Sequence, residues 1–478
     1  MASRCKGDDK LPEQFDIGIV GLGVMGRNFA LNIGDHGFSV IGYDRNISKL
    51  QDLRLAAGER KVLAVESIEQ LVGMLKVPRS VMMLVPAGPP VDAIIQEVLP
   101  FLEPGDMFID GGNSHFTDTN TRAQHLIKKG IYLLGVGISG GEHGARFGPS
   151  LMPGGDKEAY ERVRPIFEAV AAKVDGEPCV RYLGSGSAGH YVKMVHNGIE
   201  YGIMQLISET YDLMKRGLGL TNDELHSVYD QWNQGEINSY LIEITSRIFT
   251  RADDKTGKRL IDLILDEARQ KGTGKWASQD AMELQVPIPT IDAAVSARDL
   301  SAYKAEREEA NRKLSGPEAA LKEDRDTFLK QLRNAFYSAM IITHTQGMAL
   351  LTRASREYHY NLVLEDIAAI WRGGCIIRAA LLERIRTVYQ ENADLPNLLL
   401  SELGEEVAQR QDDLRGVVES AARAGIPAPA FMASLAYFDG YRSAWLPANL
   451  IQAQRDYFGA HTYERVDIKG VFHTQWEQ

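Results

Sequence analysis

Short apolar runs alternate with helical patterns in the first part of the chain. The runs Asp16–Val20, Ser39–Tyr43, Ser80–Val85 and Met107–Asp110 each end at Gly, Pro, Asn or Asp, and Asn28–Ile33 has the period of a helix. Runs of this length with such boundaries are typical of buried strands. Because strands alternating with helices pack as a layered parallel sheet, this part of the chain is predicted to be α/β.

Strand patterns disappear after residue 184, and a helical period dominates to about Tyr441. A chain of 478 residues is also too long for one ordinary hydrophobic core. We therefore predict an α/β domain at residues 1–183, an all-α domain at 184–443 and a C-terminal tail at 444–478.

The first predicted strand leads into a glycine-rich turn. Gly21-Leu22-Gly23-Val24-Met25-Gly26 has the form G-x-G-x-x-G and is followed by a helix, and Asp44 ends the next strand. Glycines at these positions permit a tight turn, and the helix N-terminus attracts a pyrophosphate. The context favours a Rossmann-like dinucleotide site over a glycine turn without a ligand. The loops 86–88 and 111–114, at the ends of later strands, are candidates for the nicotinamide and the substrate.

A polar stripe runs along one predicted helix that begins near Ser187. Its members lie three or four positions apart, on one face, whereas the remaining faces are apolar. They are Lys193, His196, Asn197, Glu200 and Tyr201. A solvated helix face is the ordinary interpretation of such a stripe. A buried Lys facing a carboxylate indicates proton transfer instead, because burial perturbs the pKa values of both groups.

Residues 133–155 contain eight glycines, which predicts neither a helix nor an ordinary strand. Within this segment, Ser139-Gly140-Gly141 offers a hydroxyl and accessible backbone amides. Such a group suits a carboxylate or a hydroxyl-rich ligand, although a purely structural glycine loop is the alternative.

The helical part contains an internal repeat with offsets of about 137 to 139 residues. The stretch from Val192 aligns with the stretch from Leu329, and Trp232 aligns with Trp371. Lys193 and Asn197 correspond to Lys330 and Asn334, whereas His196 and Glu200 correspond to Arg333 and Tyr337. Only the first copy therefore carries the complete polar stripe.

Composition excludes several classes of protein. The net charge of −11 argues against a nucleic-acid or membrane-surface partner. The three cysteines are far apart and lack metal-ligand spacing, so neither disulfides nor a zinc site is predicted. The N-terminal stretch is charged, and no apolar run reaches membrane-spanning length. We expect a soluble cytoplasmic protein.

Four long motifs resemble those of the decarboxylating 6-phosphogluconate dehydrogenases, within the β-hydroxyacid dehydrogenase superfamily. They are Ser139–Gly155, Lys193–Tyr201, Leu263–Trp276 and Arg455–Arg465. The resemblance implies oxidative decarboxylation of 6-phospho-D-gluconate to ribulose 5-phosphate, in the pentose phosphate pathway. It also implies a homodimer in which each tail reaches into the other subunit.

By motif position, Lys193 resembles the general base and Glu200 the general acid, and no metal is implied. The resemblance implies substrate contacts from Asn113, Ser139, Gly140, Gly141, His196, Asn197, Tyr201, Lys271 and Arg298, with Arg455 and His461 reaching in from the partner chain. It implies cofactor contacts from Gly21, Leu22, Gly23, Val24, Met25, Gly26, Asp44, Arg45, Asn46, Val85, Pro86, Ala87 and Asn113.

Two rival functions stay open on the sequence. A plain β-hydroxyacid dehydrogenase would stop at the keto acid, and a catalytically silent NADPH-binding protein would not react at all. Glu200 and the basic residues suited to a phosphate favour the decarboxylating enzyme.

The cofactor motifs depart from the family pattern. Gly23, Asp44 and Pro86 stand where the family usually has Ala, Asn and Lys. Asp44 suits a ribose diol and repels a 2′-phosphate, which favours NAD, whereas Arg45 and Asn46 favour NADP. We expect relaxed specificity, with NADP still accepted.

Overall fold

The computed structural model describes residues 14–270 and 272–477. Its main sheet has seven strands in the order β3-β2-β1-β4-β5-β6-β7, all parallel except the last, antiparallel pair. The strands are β1 (Ile17–Val20), β2 (Val40–Tyr43), β3 (Val62–Ala64), β4 (Ser80–Met83), β5 (Met107–Asp110), β6 (Tyr132–Ser139) and β7 (Ser150–Gly155). The predicted α/β class and the four predicted strands are confirmed.

Helices cover both faces of this sheet. They are α1 (Val24–Asp35), α2 (Ile47–Ala57), α3 (Ile68–Gly73), α4 (Pro89–Val98), α5 (Phe116–Ile127), α6 (Gly141–Phe147) and α7 (Lys157–Val170). Apolar side chains of α1, α2 and α7 pack on one face, and those of α3, α4 and α5 pack on the other. The strand order reverses between β1 and β4, so the crevice where open α/β sheets bind ligands lies at their carboxyl ends.

The prediction of neither helix nor strand for residues 133–155 is wrong. Two strands and a helix occupy the segment, and β6 pairs with β7 from Leu134↔Gly155 to Ser139↔Ser150. Glycines are needed there because a helix crosses the pair at close range. A Cβ on Gly154 would collide with the backbone of Gly189, and one on Gly189 would collide with the carbonyl of Gly135. Glycine in a strand often marks such a close approach.

The remainder of the chain up to Tyr441 is helical, as predicted. A short hairpin, β8 (Lys173–Val174) and β9 (Glu177–Pro178), precedes it. The helices are α8 (Ala188–Asp212), α9 (Asn222–Trp232), α10 (Tyr240–Thr250), α11 (Thr273–Glu283), α12 (Pro289–Ser301), α13 (Lys304–Lys313), α14 (Arg325–Glu357), α15 (Leu364–Trp371), α16 (Leu381–Glu391), α17 (Glu402–Arg423) and α18 (Pro429–Tyr441). A π-helical turn at Leu213–Gly217 extends α8, and 3₁₀ turns occur at Leu99–Phe101, Leu260–Leu263 and Leu398–Leu400.

The two aligned stretches of the repeat fall on equivalent elements. Val192 lies in α8 and Leu329 in α14, and Trp232 and Trp371 are the last residues of α9 and α15. The segments that follow hydrogen-bond to each other, because Tyr240 N donates to Arg378 O and Ala380 N donates to Asn238 O. This arrangement is consistent with a duplicated helical unit.

The tail contains α19 (Ala448–Gly459) and the hairpin β10 (Tyr463–Glu464) and β11 (Val471–Phe472). Asp456 organises it, accepting hydrogen bonds from Thr462 N (2.9 Å), Thr474 N (3.0 Å) and Trp476 Nε1 (2.8 Å). Among residues 14–270 and 272–477, the hydrogen bonds found for tail side chains join tail residues to one another. None of the helices in these ranges has the length and apolar composition required to cross a membrane.

Candidate active site

Helix α8 is central to the candidate site. It begins at Ala188, as the sequence predicted, and Ser187 before it lies 2.7 Å from the hydroxyl of Tyr360. Its first three turns are buried on every side, because β6, β7, α11, α12 and α14 pack around it. The polar stripe therefore does not face bulk solvent, and the interpretation as an ordinary solvated face is excluded.

The stripe forms a short chain of polar contacts. Lys193 Nζ lies 3.4 Å from His196 Nδ1, which lies 3.2 Å from Asn197 Oδ1 and 3.8 Å from Glu200 Oε2. Lys193, His196 and Asn197 are buried, and Glu200 retains a 21% exposed side chain. A base and an acid thus share one helix face, with a histidine between them.

Burial shifts the proton affinities of this group in opposite directions. It lowers the pKa of Lys193, opposed by the nearby charge of Glu200, and it raises the pKa of Glu200, opposed by Lys193 and Arg298. It also places the pKa of His196 well below the ordinary value, with the charge of Lys193 acting in the same direction. Near neutral pH a larger fraction of the lysine is therefore neutral, and a larger fraction of the glutamic acid is protonated, than in water, so the first can accept a proton and the second can donate one.

The end of β6 and the start of α6 cover this group. Ser139 Oγ lies 3.3 Å from His196 Nε2 and accepts a hydrogen bond from Ile376 N at 3.4 Å. Gly140 and Gly141 both have positive φ, and a Cβ on Gly140 would collide with the carbonyl of Gly374. The turn that presents Ser139 and these amides is therefore accessible only to glycine at position 140.

Tyr201 and Arg298 extend the site along α8. The Arg298 guanidinium lies 3.4 Å from the centroid of the Tyr201 ring, and burial lowers the pKa of Arg298 from its ordinary value. A Cβ on Gly274 would collide with the same ring, so the start of α11 packs directly against it. Arg298 is thus a partly buried cation close to Glu200. Lys271, predicted to act with it, lies outside the described residues.

The glycine-rich turn after β1 has the geometry of a pyrophosphate site. Gly21 has a φ of 99°, and a Cβ on Gly26 would collide with the carbonyl of Gly21. The turn exposes Val24 at the N-terminus of α1, while Leu22 is buried and Gly23 and Met25 are partly buried. Backbone amides and the helix dipole there can hold an anion.

Asp44, Arg45 and Pro86 line a neighbouring cavity of about 180 Å³, together with Val85. Asp44 accepts hydrogen bonds from Leu22 N (2.8 Å), Asn46 N (2.9 Å) and Lys49 Nζ (3.2 Å), and these donors help hold its pKa below the usual range against the effect of burial. Asn46 Oδ1 accepts from Ser48 N and so caps α2.

Arg45 is turned toward another carboxylate in this region. Its Nη2 lies 2.7 Å from Glu97 Oε2, and its side chain is 62% exposed. The guanidinium is thus near the rim of the cavity while already paired. Ala87 lies in the loop after β4, and Asn113 is exposed in the loop after β5.

The structure does not bring every predicted residue to this site within one chain. Arg455 lies on α19 and donates to Gln452 at 3.0 Å, and His461 packs against Phe458 just after that helix. Both are exposed and belong to the self-contained tail.

Sequence reasoning missed several residues that shape the site. Gly137 is one, because a Cβ there would collide with the side chain of Lys193. Lys49 and Glu97, which pair with Asp44 and Arg45, are others. The alternating glycines of β6 were the only signal for Gly137, and nothing local pointed to the two ion pairs.

Comparison with known families covers nearly the whole chain. A family described as the NAD binding domain of 6-phosphogluconate dehydrogenase matches residues 16–184. A second, described as 6-phosphogluconate dehydrogenase, C-terminal domain, matches residues 189–476.

Individual relatives agree with this assignment. An NADP(+)-dependent, decarboxylating 6-phosphogluconate dehydrogenase of Bacillus subtilis (strain 168) is 53% identical, covering 96% of this chain and 98% of the relative. The decarboxylating enzyme of Escherichia coli (strain K12) is 50% identical, with the same coverage. A solved structure of Plasmodium falciparum 6-phosphogluconate dehydrogenase superposes with a TM-score of 0.94 at 46% identity, covering 96% of this chain and all of that one. This chain belongs to the 6-phosphogluconate dehydrogenase family.

Proposed function

We propose that the protein catalyses the NADP- or NAD-dependent oxidative decarboxylation of 6-phospho-D-gluconate to D-ribulose 5-phosphate and CO2, in the pentose phosphate pathway. The observation that carries the proposal is the buried stripe of α8, where Lys193 and Glu200 share one face with His196 between them. The named relatives and the solved Plasmodium falciparum structure, described with NADP+ and with 6-phosphogluconate, support the same reaction.

Lys193 acts first, as the general base. Its lowered pKa favours a neutral amine that accepts the proton of the 3-hydroxyl while hydride leaves C3 for the nicotinamide. The product is a β-keto acid, and the ammonium of Lys193 then polarises the C3 carbonyl while CO2 leaves. This role requires no metal ion.

Glu200 acts last, as the general acid. Loss of CO2 leaves an enediol that must gain a proton at C1. The raised pKa of Glu200 increases the fraction of protonated carboxyl at neutral pH, and its side chain remains partly exposed for contact with the substrate.

The neighbouring residues bind the sugar acid and its phosphate. We assign Ser139, Gly140 and Gly141 to the carboxylate and hydroxyls, with His196, Asn197, Tyr201 and Asn113. The phosphate is assigned to Arg298 and Lys271, with Arg455 and His461 from the tail of the partner chain. Support for a phosphate site comes from the partly buried guanidinium of Arg298, because a guanidinium can make strong bidentate hydrogen bonds to a phosphate.

A homodimer with exchanged tails follows from this assignment. Support comes from large apolar side chains on the tail that its own chain leaves exposed, including Trp445 (63%), Ile451 (60%) and Phe458 (72%). Exposed apolar surface of this extent is typical of an interface. In this proposal residues 1–183 bind the dinucleotide, residues 184–443 bind substrate and the partner, and residues 444–478 complete the partner's site.

Truncation after Pro447 tests the exchange. We expect the shortened protein to lose turnover with 6-phosphogluconate, because Arg455 and His461 are removed from both sites. Sedimentation velocity and steady-state kinetics on the same samples provide the measurement. A truncated protein that retains the substrate KM would contradict the role of the tail.

The proposed cofactor preference is relaxed. Asp44 disfavours a 2′-phosphate, yet Lys49 offsets its charge, and Arg45 is already paired with Glu97. These pairings support use of NAD together with NADP. We further propose a cytoplasmic location, in keeping with the scattered cysteines and the metabolic role.

The decisive assay follows nicotinamide reduction and CO2 release with 6-phosphogluconate and either cofactor. Equal amounts of reduced cofactor and CO2 are expected. Reduction without CO2 would indicate the plain β-hydroxyacid dehydrogenase, and no reduction with either cofactor would overturn the proposal.

A further inference from the structure

Arg122, on α5, contacts both the loop after β4 and the loop after β5. Its side chain is only 7% exposed, although it lies in the dinucleotide-binding part of the chain rather than in the polar stripe of α8. Its Nη2 donates to Gly88 O at 3.1 Å, in the loop after β4, and its Nη1 donates to Ser114 Oγ at 3.3 Å, in the loop after β5. One guanidinium thus ties the predicted nicotinamide loop to the predicted substrate loop.

Two carboxylates hold this guanidinium in place. Asp92, in the first turn of α4, accepts from Nε at 2.7 Å and from Nη2 at 3.0 Å in a bidentate pair. Asp110, the last residue of β5, lies 3.7 Å from Nη1 and is fully buried. A planar guanidinium fixed on two sides has little rotational freedom, so its contacts to Gly88 and Ser114 are geometrically defined.

Asp110 in turn shapes the substrate loop. Its two oxygens accept from Gly112 N at 3.1 Å and from Ser114 Oγ at 2.6 Å, on either side of Asn113. Its backbone carbonyl lies 3.0 Å from His190 Nε2 on α8, three residues before Lys193. The other ring nitrogen of His190 lies 2.7 Å from Thr119 Oγ1. Burial lowers the pKa of His190 and so favours the neutral ring, in which the nitrogen facing the carbonyl donates and the nitrogen facing Thr119 accepts.

The loop after β5 also packs directly against β4 and the residues that follow it. A Cβ on Gly112 would lie 3.1 Å from Val85 O in the loop after β4, and one on Gly111 would lie 2.7 Å from Met82 Cε in β4 itself. The connected groups therefore form a continuous path from Gly88 through Arg122, Ser114 and Asp110 to α8. Displacement of one loop must displace the other or break a buried hydrogen bond.

We propose that Arg122 is a positioning residue that fixes the distance between the nicotinamide and C3 of the substrate by clamping these two loops. The inference rests on the proposed function, since that function places the cofactor and the sugar acid on the two loops. In this proposal Arg122 acts through the two loops and not by touching either ligand. Hydride transfer is sensitive to donor–acceptor geometry, and a misplacement of about 1 Å can lower a rate by about a hundredfold.

The test compares Arg122→Met, Arg122→Lys and the control Arg162→Met. Arg162 is a partly buried arginine of the same domain and donates to a loop carbonyl, Gly105 O, at 2.7 Å, but its described hydrogen bonds do not reach the loops after β4 and β5. We expect Arg122→Met to lower kcat/KM by about ten- to a hundredfold. The Michaelis constants for substrate and cofactor should both rise, and the isotope effect with 3-deuterated 6-phosphogluconate should increase because hydride transfer becomes slower.

Partial rescue separates positioning from bulk stability. Arg122→Lys should recover part of the loss, since an ammonium retains the charge but cannot make all the contacts of the guanidinium. Arg162→Met should leave the kinetics unchanged even if it lowers Tm. Unchanged kinetics and isotope effect in folded Arg122→Met, or equal kinetic losses in Arg162→Met, would overturn the proposal.

Two further measurements test the role of Arg122 even if Arg122→Met does not fold or the proposed reaction is wrong. If Arg122→Met does not fold, Ser114→Ala and Arg122→Lys must each raise both Michaelis constants, and normal values in both would overturn the clamp. The dissociation constant for NADPH, measured from its fluorescence, should rise in the Arg122 variants whatever the substrate proves to be. Unaltered NADPH affinity in them would contradict the clamp, whereas absence of turnover in unsubstituted protein would contradict only the proposed reaction.

Discussion

Helices α8 and α14 carry aligned polar residues in opposite environments. Lys193 of α8 is buried, whereas its counterpart Lys330 of α14 is exposed. The two helices cross at close range, since a Cβ on Gly202 would collide with Thr343 and one on Gly347 would collide with Ile199. The same helical pattern therefore produces a desolvated base in one copy and a solvated lysine in the other.

The remaining positions differ in their partners. In α14, Arg333 pairs with Glu236 at 3.2 Å, Asn334 donates to Asp413 at 2.7 Å, and Tyr337 donates to Glu406 at 3.0 Å. Asp413 and Glu406 lie on α17, and Glu236 lies in the turn between α9 and α10. In α8 the corresponding groups mainly face one another, beneath the glycine-rich turn of Ser139.

The comparison teaches that the covering element decides the role of the stripe. Helix α17 supplies charges that convert the second stripe into a structural network. Strand β6 supplies glycines, which leave space and accessible backbone amides over the first stripe, on α8. A reactive base needs burial without a full set of counter-charges, because complete pairing would stabilise its charged form.

The largest effect on turnover is expected when the same Lys→Met substitution is made at each of the two aligned lysines. Lys193→Met should lower kcat by about 10²–10⁴-fold, because it removes the proposed general base, while NADPH binding is retained. Lys330→Met should leave kcat within twofold or so, as expected for an exposed residue. Steady-state kinetics with 6-phosphogluconate measure both. Comparable losses in the two variants would contradict the distinction between the copies.

The acid position offers a second paired test. Glu200→Gln should slow turnover by about 10²-fold after hydride transfer, with a normal single-turnover burst of reduced cofactor. Tyr337→Phe at the aligned position should leave kinetics unchanged and destabilise the fold by about 1 kcal/mol, through loss of the hydroxyl contacts to Glu406 and Arg384. Rapid-mixing absorbance and thermal unfolding measure these effects. A slowed burst in Glu200→Gln would place Glu200 in the hydride step instead.

Neighbouring groups also determine the role of Asp44, whose carboxylate accepts hydrogen bonds from backbone donors and from Lys49. Asp44→Asn should shift preference toward NADP by about 1–2 kcal/mol, or about five- to thirtyfold. The kcat/KM ratio for the two cofactors is the measurement, with Asp52→Asn as an exposed control on α2. Strict NADP specificity in the unsubstituted protein together with an unchanged ratio in Asp44→Asn would refute this account.

The smallest effect concerns stability. Burial lowers the folded-state pKa of Lys193, so charging it costs stability, and Lys193→Met should stabilise the fold by about 1 kcal/mol. The gain should be fully present below the folded-state pKa and should vanish as pH rises through the unfolded-state pKa of about 10.4. Thermal unfolding at several pH values measures it. A gain that grows with pH would have the wrong sign for a buried lysine.

Local sequence patterns determined much of this protein. Strand runs, the glycine turn after β1, the start of α8 near Ser187 and the polar stripe all follow from periodicity and turn chemistry within a few residues. Those signals are local because side-chain direction repeats every two or every 3.6 residues. Together with the motifs that resemble the family, they identified the α/β class, the helical part and the candidate catalytic pair.

Only the tertiary structure decided what surrounds these elements. It showed that residues 133–155 form strands and a helix. Their glycines are required because α8 packs closely against the strands, and they do not indicate a loop. It revealed that Arg122 joins the loops after β4 and β5, and that Lys49 and Glu97 engage Asp44 and Arg45. It also showed that Lys193 is buried whereas Lys330 is exposed, although the helical repeat predicted that they occupy equivalent faces. These outcomes depend on contacts between residues distant in the chain, and a local pattern fixes which way a side chain points but not which element comes to cover it.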